Sequence, residues 1–253
     1  MKRKLDWILR SHNVGLLLED DDVIALEKPA GLLVLPDRFD QHKPNLYRLL
    51  AEELGSIFVV HRIDRETSGI ILFAKTAESH AALNTQFETR TVEKVYQGLV
   101  RGIPEPREGT IDLALAESER EPAKMRVVKR GGKPSQTRYQ VVEVFDGYAL
   151  VELRPQTGRT HQLRVHLAAV GHPIVGDPLY GDGQPFYLSS VKRSYRSTDE
   201  EKPLLRRTAL HAWRLAFLHP GTGIQVRLEA DLPKDLRSTV RALRKYAGGS
   251  SAL

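Results

Sequence analysis

Ile57-Phe58-Val59-Val60-His61-Arg62-Ile63-Asp64-Arg65-Glu66-Thr67-Ser68-Gly69-Ile70-Ile71-Leu72-Phe73-Ala74 is the stretch on which the reading of this chain turns. Ile57 to Val60 and Ile70 to Ala74 have the length and apolar composition of buried strands. Between them a single acid stands between two arginines, and a Thr-Ser-Gly turn follows at once. The pattern predicts Asp64 on a tight loop, held rigidly at the edge of a sheet or in a cleft. A guanidinium close by favours its ionised form. Taken alone, such a residue more often means a structural acid pinned by Arg62 or Arg65. The rest of the chain decides against that meaning.

With 253 residues and 41% hydrophobic content, the chain can bury one large core or two small ones. There is no cysteine, which removes disulfides, thiolate metal sites and Cys nucleophiles and fits a reducing, cytoplasmic setting. Met1-Lys2-Arg3-Lys4 is basic, but Asp6, Arg10, His12 and Asn13 break the apolar stretch behind it, so no signal peptide is readable. No apolar run approaches the ~20 residues that span a bilayer. The formal charge is +6 and its distribution is uneven. Lys124, Arg126, Lys129, Arg130, Lys133 and Arg138 lie in a run to Val142 with no acid. Lys192, Arg193, Arg196, Lys202, Arg206 and Arg207 form a second cluster, diluted by Asp199, Glu200 and Glu201. Such patches fit a polyanion, though a solvated face has the same composition. The aromatics are not interleaved with the basic runs, which argues against a single-strand stacking platform.

Val23 to Leu26 reads as a strand entered through Asp20-Asp21-Asp22, and Leu32 to Leu35 as a short second strand ended by Pro36. Helices are predicted over Asn45 to Leu54, Ala77 to Glu88, Thr160 to Val170 and Pro233 to Tyr246. Glu93 to Val100 alternates, and Asp146-Gly147 joins Arg138–Val144 to Ala149–Leu153 as a hairpin. Strands neighbour one another more than they alternate with helices. The expected fold is therefore α+β: a mixed, mostly antiparallel sheet with flanking helices and a cleft along the sheet. Residues 1–246 are expected to form one catalytic domain, with 104–121 and 182–207 as surface insertions and 247–253 as a frayed tail.

Arg154-Pro155-Gln156-Thr157-Gly158-Arg159-Thr160-His161-Gln162-Leu163-Arg164-Val165-His166 is the second constellation. It is read as a turn on Gly158 opening a helix whose Leu163, Leu167 and Val170 face the core. His161 and Arg164, three apart, then share another face, and a guanidinium there can pair bidentately with a carboxylate. His166 and His172 read as packing residues. A metal site is not expected: His161 and His166 are five apart, and no H-E-x-x-H is present. Gly131-Gly132-Lys133-Pro134-Ser135 has the wrong spacing for a phosphate loop, and no G-x-S-x-G marks a hydrolase.

These two motifs, with Glu27-Lys28-Pro29-Ala30-Gly31-Leu32, Glu93-Lys94-Val95-Tyr96, His172-Pro173-Ile174-Val175-Gly176-Asp177, Leu210-His211-Ala212 and His219-Pro220, resemble the RluA family of pseudouridine synthases. The resemblance covers about residues 18–236 in the family's order. It implies Asp64 as the catalytic aspartate, Tyr96 packing against the target uracil, and Arg164 as the partner of Asp64. It further implies isomerisation of uridine in transfer or ribosomal RNA without metal or organic cofactor. Ile63 stands where Leu is usual, a volume-conserving change. About twenty residues precede the first motif, so the small N-terminal RNA-binding domain found in many members is not expected.

Breaking N1–C1′, turning the uracil and joining C5 to C1′ hydrolyses nothing, so one carboxylate suffices where a glycoside hydrolase needs two. Attack on C1′, addition to the ring and removal of a C2′ proton all remain open to Asp64. The target uridine must leave its stack to be reached. Phosphate and substrate contacts are expected from His61, Arg62, Arg159, His161, Lys124, Arg126, Lys129, Arg130 and Lys133. A monomer acting on structured RNA is expected, with an idle RNA-binding relative as the rival. An idle relative would not need Asp64, Tyr96 and Arg164 together, and a hydrolytic glycosidase would need a second carboxylate, a role of which the Thr67-Ser68-Gly69 context of Glu66, the one acid near Asp64 in sequence, gives no sign.

Overall fold

The computed structural model describes residues 2–37, 40–121, 124–196 and 200–251. In chain order it begins with α1 (Lys2–Ser11), β1 (Gly15–Glu19), β2 (Val23–Lys28), α2 (Leu46–Leu54), β3 (Phe58–Val59), β4 (Ser68–Ala74) and α3 (Ala77–Glu88). Then come β5 (Glu93–Arg101), β6 (Glu108–Asp112), β7 (Leu115–Glu117), β8 (Met125–Val127), β9 (Gln136–Phe145), β10 (Tyr148–Pro155) and α4 (Gln162–Ala169). A 3-10 turn (Leu188–Ser190), β11 (Leu210–Leu218), β12 (Gln225–Glu229), α5 (Lys234–Tyr246) and β13 (Ser250–Ser251) complete it. The fold is α+β, with mostly antiparallel strands and flanking helices, and the chain divides into two compact units. One is Met1–Lys94 with Ala212–Asp231, the other Val95–His211 with Leu232–Leu253.

In the first unit the strands run β1-β2-β4-β11-β12, and β3 also pairs with β4. β4 is buried along its whole length, as an apolar run between two neighbours should be. Ala25, Leu72, Leu83, Leu215 and Phe217 are among its core residues. α2 and α3 start where the sequence places caps: Asn45 accepts from the Arg48 amide and Thr76 from the Ser79 amide. Gly55, at φ 76°, closes α2.

Leu32 to Leu35 is not a strand. Leu33 makes one parallel bridge to Asn45, and the Leu33 and Val34 carbonyls accept from the Leu46 and Tyr47 amides. The segment thus satisfies the orphan donors of α2 rather than a ladder. α1 and β1 were not foreseen. Leu5 and Leu9 of α1 are buried, Trp7 is exposed, and Lys4 pairs with Glu53 of α2.

In the second unit the order is β5-β10-β9-β13, with β6 also on β9. β7 and β8 form a separate two-stranded ribbon. Leu99, Val151, Leu163, Val175, Leu236 and Val240 belong to its core. The Asp146-Gly147 hairpin forms with Tyr148 opposite Phe145 and Gly147 at φ 74°. Residues 104–121 are not a plain insertion, since they hold β6 and β7. The 182–207 segment is anchored by buried Phe186 and Leu205, which bridge each other. Of the diluting acids there, Asp199 lies outside the described residues. At the tail, where fraying was expected, Ser250 and Ser251 pair with Val144 and Glu143; residues 252 and 253 lie outside the described part.

Candidate active site

Asp64 is half-buried on the loop between β3 and β4, in the first unit. Its carbonyl accepts from the Thr67 amide at 3.1 Å, and Ile63, Thr67 and Ser68 beside it are buried. Two clamps hold this loop. The first is Lys28, fully buried at the end of β2, whose ammonium donates to the carbonyls of Pro29 (2.8 Å), Leu32 (2.8 Å) and Arg65 (3.0 Å). The Arg65 carbonyl also accepts from the Gly31 amide, and Arg65 Nε donates back to the Gly31 carbonyl. The residue next to Asp64 is therefore fixed from two sides, with a charge-assisted bond among them. Arg65 further pairs with Glu66 at 3.5 Å, and Arg62 is exposed.

The second clamp is His61. Its Nε2 accepts from the Leu72 amide of β4 at 3.0 Å, and its ring stacks on Phe87 of α3 at 4.9 Å. Burial, with the Lys94 ammonium nearby, pushes the imidazole down from 6.5 to about 3. His61 is thus a neutral packing residue at physiological pH. With Nε2 accepting, the neutral ring carries its proton on Nδ1, so a contact to RNA would rest on that N–H and not on charge. Gly69 corrects an expectation. It lies within β4 at φ 109°, and a Cβ there would stand 2.2 Å from the Ala212 carbonyl oxygen. Its role is close approach of two strands rather than a turn.

The second constellation and Tyr96 belong to the other unit. Tyr96 sits on β5 opposite Leu153 of β10, half-buried against that unit's core. Gly158 is absent from the left-handed residues; His161, the N-cap of α4, carries the turn at φ 53°. The helix buries Gln162 through Leu167 on all sides, while Val170 is exposed, so no one-sided stripe exists. Buried Gln162 shapes the turn: its Oε1 accepts from Thr157 Oγ1 and the Arg159 amide, and its Nε2 donates to the Gln136 carbonyl. His166 and His172 are packing residues as read, bonded to Thr137 with the Leu113 carbonyl and to the Arg101 carbonyl. Arg159 is half-buried, its Nε 3.4 Å from the Pro134 carbonyl.

Arg164 is buried, and its Nε and Nη2 donate to Asp177 at 2.6 and 2.8 Å. Asp177, also buried, accepts from the Leu179 and Tyr180 amides at 2.9 and 3.2 Å. Burial pushes the Asp177 carboxyl up, but the Arg164 pair and the two amides outweigh it and hold it below the usual carboxylate range. Gly176 makes this turn possible, since a Cβ there would lie 2.4 Å from the Arg207 carbonyl oxygen.

The basic run is split by the fold. Met125–Val127 is β8 of the ribbon, Lys133 bonds backbone to backbone with Leu115, and Arg138 lies on β9. Lys124 and Arg126 are offset by Glu121 and Glu119, acids just outside the stretch that was counted. Lys129, Arg130 and Lys133 are exposed, without an ion pair among the described residues. Asp20-Asp21-Asp22 forms a turn in which Asp20 accepts from the Asp22 and Val23 amides and meets His219 at 2.9 Å, and Asp22 accepts from Ser79; Asp20, Asp22 and His219 each bring one potential metal-ligand atom to within 4.8 Å of the others. No described helix is long and apolar enough to cross a membrane.

Lys28, Gln162, Asp177 and Tyr180 were not singled out from sequence. Lys28, Gln162 and Asp177 were signalled there only by membership of the quoted motifs, and Tyr180, three residues beyond the last of these, by nothing.

Residues 22–169, which contain Asp64, Tyr96 and Arg164, match the family model described as RNA pseudouridylate synthase. The chain belongs to that family. It is 40% identical over 245 residues to a ribosomal large subunit pseudouridine synthase D of Neisseria meningitidis, covering 95% of this chain and 64% of that protein. It thus spans less than two thirds of that relative's length. A dual-specificity RNA pseudouridine synthase RluA of Vibrio vulnificus is 41% identical over 210 residues, 81% of this chain and 78% of the relative. Among solved structures, human RNA pseudouridylate synthase domain containing 4 superposes with a TM-score of 0.72 at 25% identity, covering 96% of this chain and 98% of that one.

Proposed function

We propose that this chain is an RNA pseudouridine synthase that isomerises a specific uridine in structured ribosomal or transfer RNA. The observation that carries the reading is the Asp64 loop, clamped by Lys28 on one side and by His61 on the other inside a matched family segment. A carboxylate that must act on one atom of an extruded nucleotide needs that rigidity.

Asp64 supplies the carboxylate, by attack on C1′, addition to the ring or removal of a C2′ proton. Tyr96 stacks on the uracil, and Arg164 is the cation the motif assigns to Asp64. The Asp177 pair fixes the Arg164 guanidinium in place. Extruding the uridine costs a few kcal/mol, which cationic contacts to phosphate offset. Lys129, Arg130, Lys133, Arg62 and Arg159 are the candidates for those contacts.

The test is direct. Pseudouridines are mapped in total RNA with and without the gene, and the purified chain is added back to the unmodified RNA. A site that disappears and is restored supports the reading. An unchanged map with an inactive purified chain contradicts it.

A further inference from the structure

Tyr180 has no task in the chemistry above, yet three candidate site residues converge on it within one unit. Its Oη lies 2.8 Å from the Met125 amide of β8 and 2.9 Å from His161 Nδ1. A backbone amide can only donate, so Oη accepts from Met125 and can give its own proton to His161. The ring carries two cations: the Arg164 guanidinium stands 5.1 Å from its centroid and the Lys124 ammonium 5.9 Å. His161 meets the same ring edge-on at 5.6 Å while holding a left-handed backbone that a residue with a side chain seldom adopts. The Tyr180 amide is itself bound by Asp177, the partner of Arg164. A phenylalanine would fill the same space. The hydroxyl is there to join separate elements.

We propose that Tyr180 is a positioning residue that locks Arg164 and His161 to the basic β7–β8 ribbon, so that the ribbon and the cation assigned to Asp64 are held as one body. This rests on the synthase reading, and the test keeps the two separable. In the full chain, Tyr180→Phe keeps the ring and removes the link, whereas Tyr180→Leu removes both.

Tyr180→Phe should lower the single-turnover rate at saturating RNA about tenfold, the equivalent of ~1.4 kcal/mol, with the Kd for RNA within about twofold of wild type. Hydrogen exchange at the Met125 amide should accelerate. Tyr180→Leu should in addition shift the Arg164 Nε–H resonance. His161→Asn tolerates the left-handed backbone and cuts the link from the other side, so it should reproduce the rate loss even if a Tyr180 variant fails to fold.

A wild-type rate in Tyr180→Phe or in His161→Asn overturns the proposal. So does a loss confined to Kd, which would make Tyr180 an RNA contact. A wild-type chain inactive on every RNA defeats the synthase reading instead, and the Met125 exchange and Arg164 resonance still judge Tyr180.

Discussion

Asp177 and Arg164 form the most enclosed ion pair among the described residues of the second unit, with side-chain exposures of 0% and 5%. Desolvation makes such a pair weak as a net source of stability, but removing one partner leaves the other charge buried. Asp177→Ala should therefore destabilise the chain by roughly 3–5 kcal/mol, read as a lower urea midpoint. A midpoint equal to wild type would show that the guanidinium finds water. Gly69→Ala should be at least as damaging, roughly 4 kcal/mol or more, because it combines an unfavourable φ with a Cβ driven into the Ala212 carbonyl. Soluble Gly69→Ala protein with a wild-type melting temperature would contradict that contact. At this scale the sequence was legible for the placing of Asp64 on a tight loop and for the bidentate carboxylate pairing of Arg164, but not for Asp177 as the carboxylate in that pair. It was not legible for Lys28 or Tyr180. A lysine ringed by carbonyls and a tyrosine between two cations are defined by partners up to 55 residues away, and nothing local reports them.

Helices and strands were readable in proportion to how far local signals govern them. α3 and the β9–β10 hairpin formed where caps, periodicity and Asp-Gly placed them. Leu32 to Leu35 failed because its carbonyls are claimed by Lys28 and by the start of α2, a tertiary demand that overrides strand propensity. α4 failed as an amphipathic helix because it is enclosed on every side, so its polar residues Gln162, Arg164 and His166 are inside and bonded.

The loop–strand–helix clamp around His61 carries a pH signature. The folded state holds the imidazole near 3 and the unfolded chain near 6.5, so between those values the unfolded state binds more protons. The stabilisation is complete above about 6.5 and falls as pH drops toward 3, by roughly 5 kcal/mol at most. His61→Gln keeps an acceptor for the Leu72 amide but cannot protonate. Its stability should vary less with pH across that window, measured by urea unfolding at pH 7, 5.5 and 4. A slope identical to wild type would mean His61 protonates freely in the folded chain.

For the whole molecule, composition exposed the positive balance but not which charges are spent. Counting acids only inside the 124–142 run hid Glu119 and Glu121, which the ribbon brings onto Arg126 and Lys124. Lys129, Arg130 and Lys133 remain as exposed charges for phosphate. Replacing all three with alanine should weaken RNA binding and flatten the salt slope by roughly two units, at ~0.7 per phosphate on a single strand. Folding should change little, since these side chains are exposed. Unchanged affinity and slope would leave the cations of residues 192–207 as the holding surface.

The proposed function gives the chemistry to one carboxylate and the holding of the RNA to basic residues. Asp64→Asn separates the two, with tritium release from RNA carrying 5-labelled uridine measured beside RNA affinity. No release above background is expected, with a Kd within about twofold of wild type, because the change removes a charge from the reacting group and none from the phosphate contacts. Tritium release at the wild-type rate would contradict it.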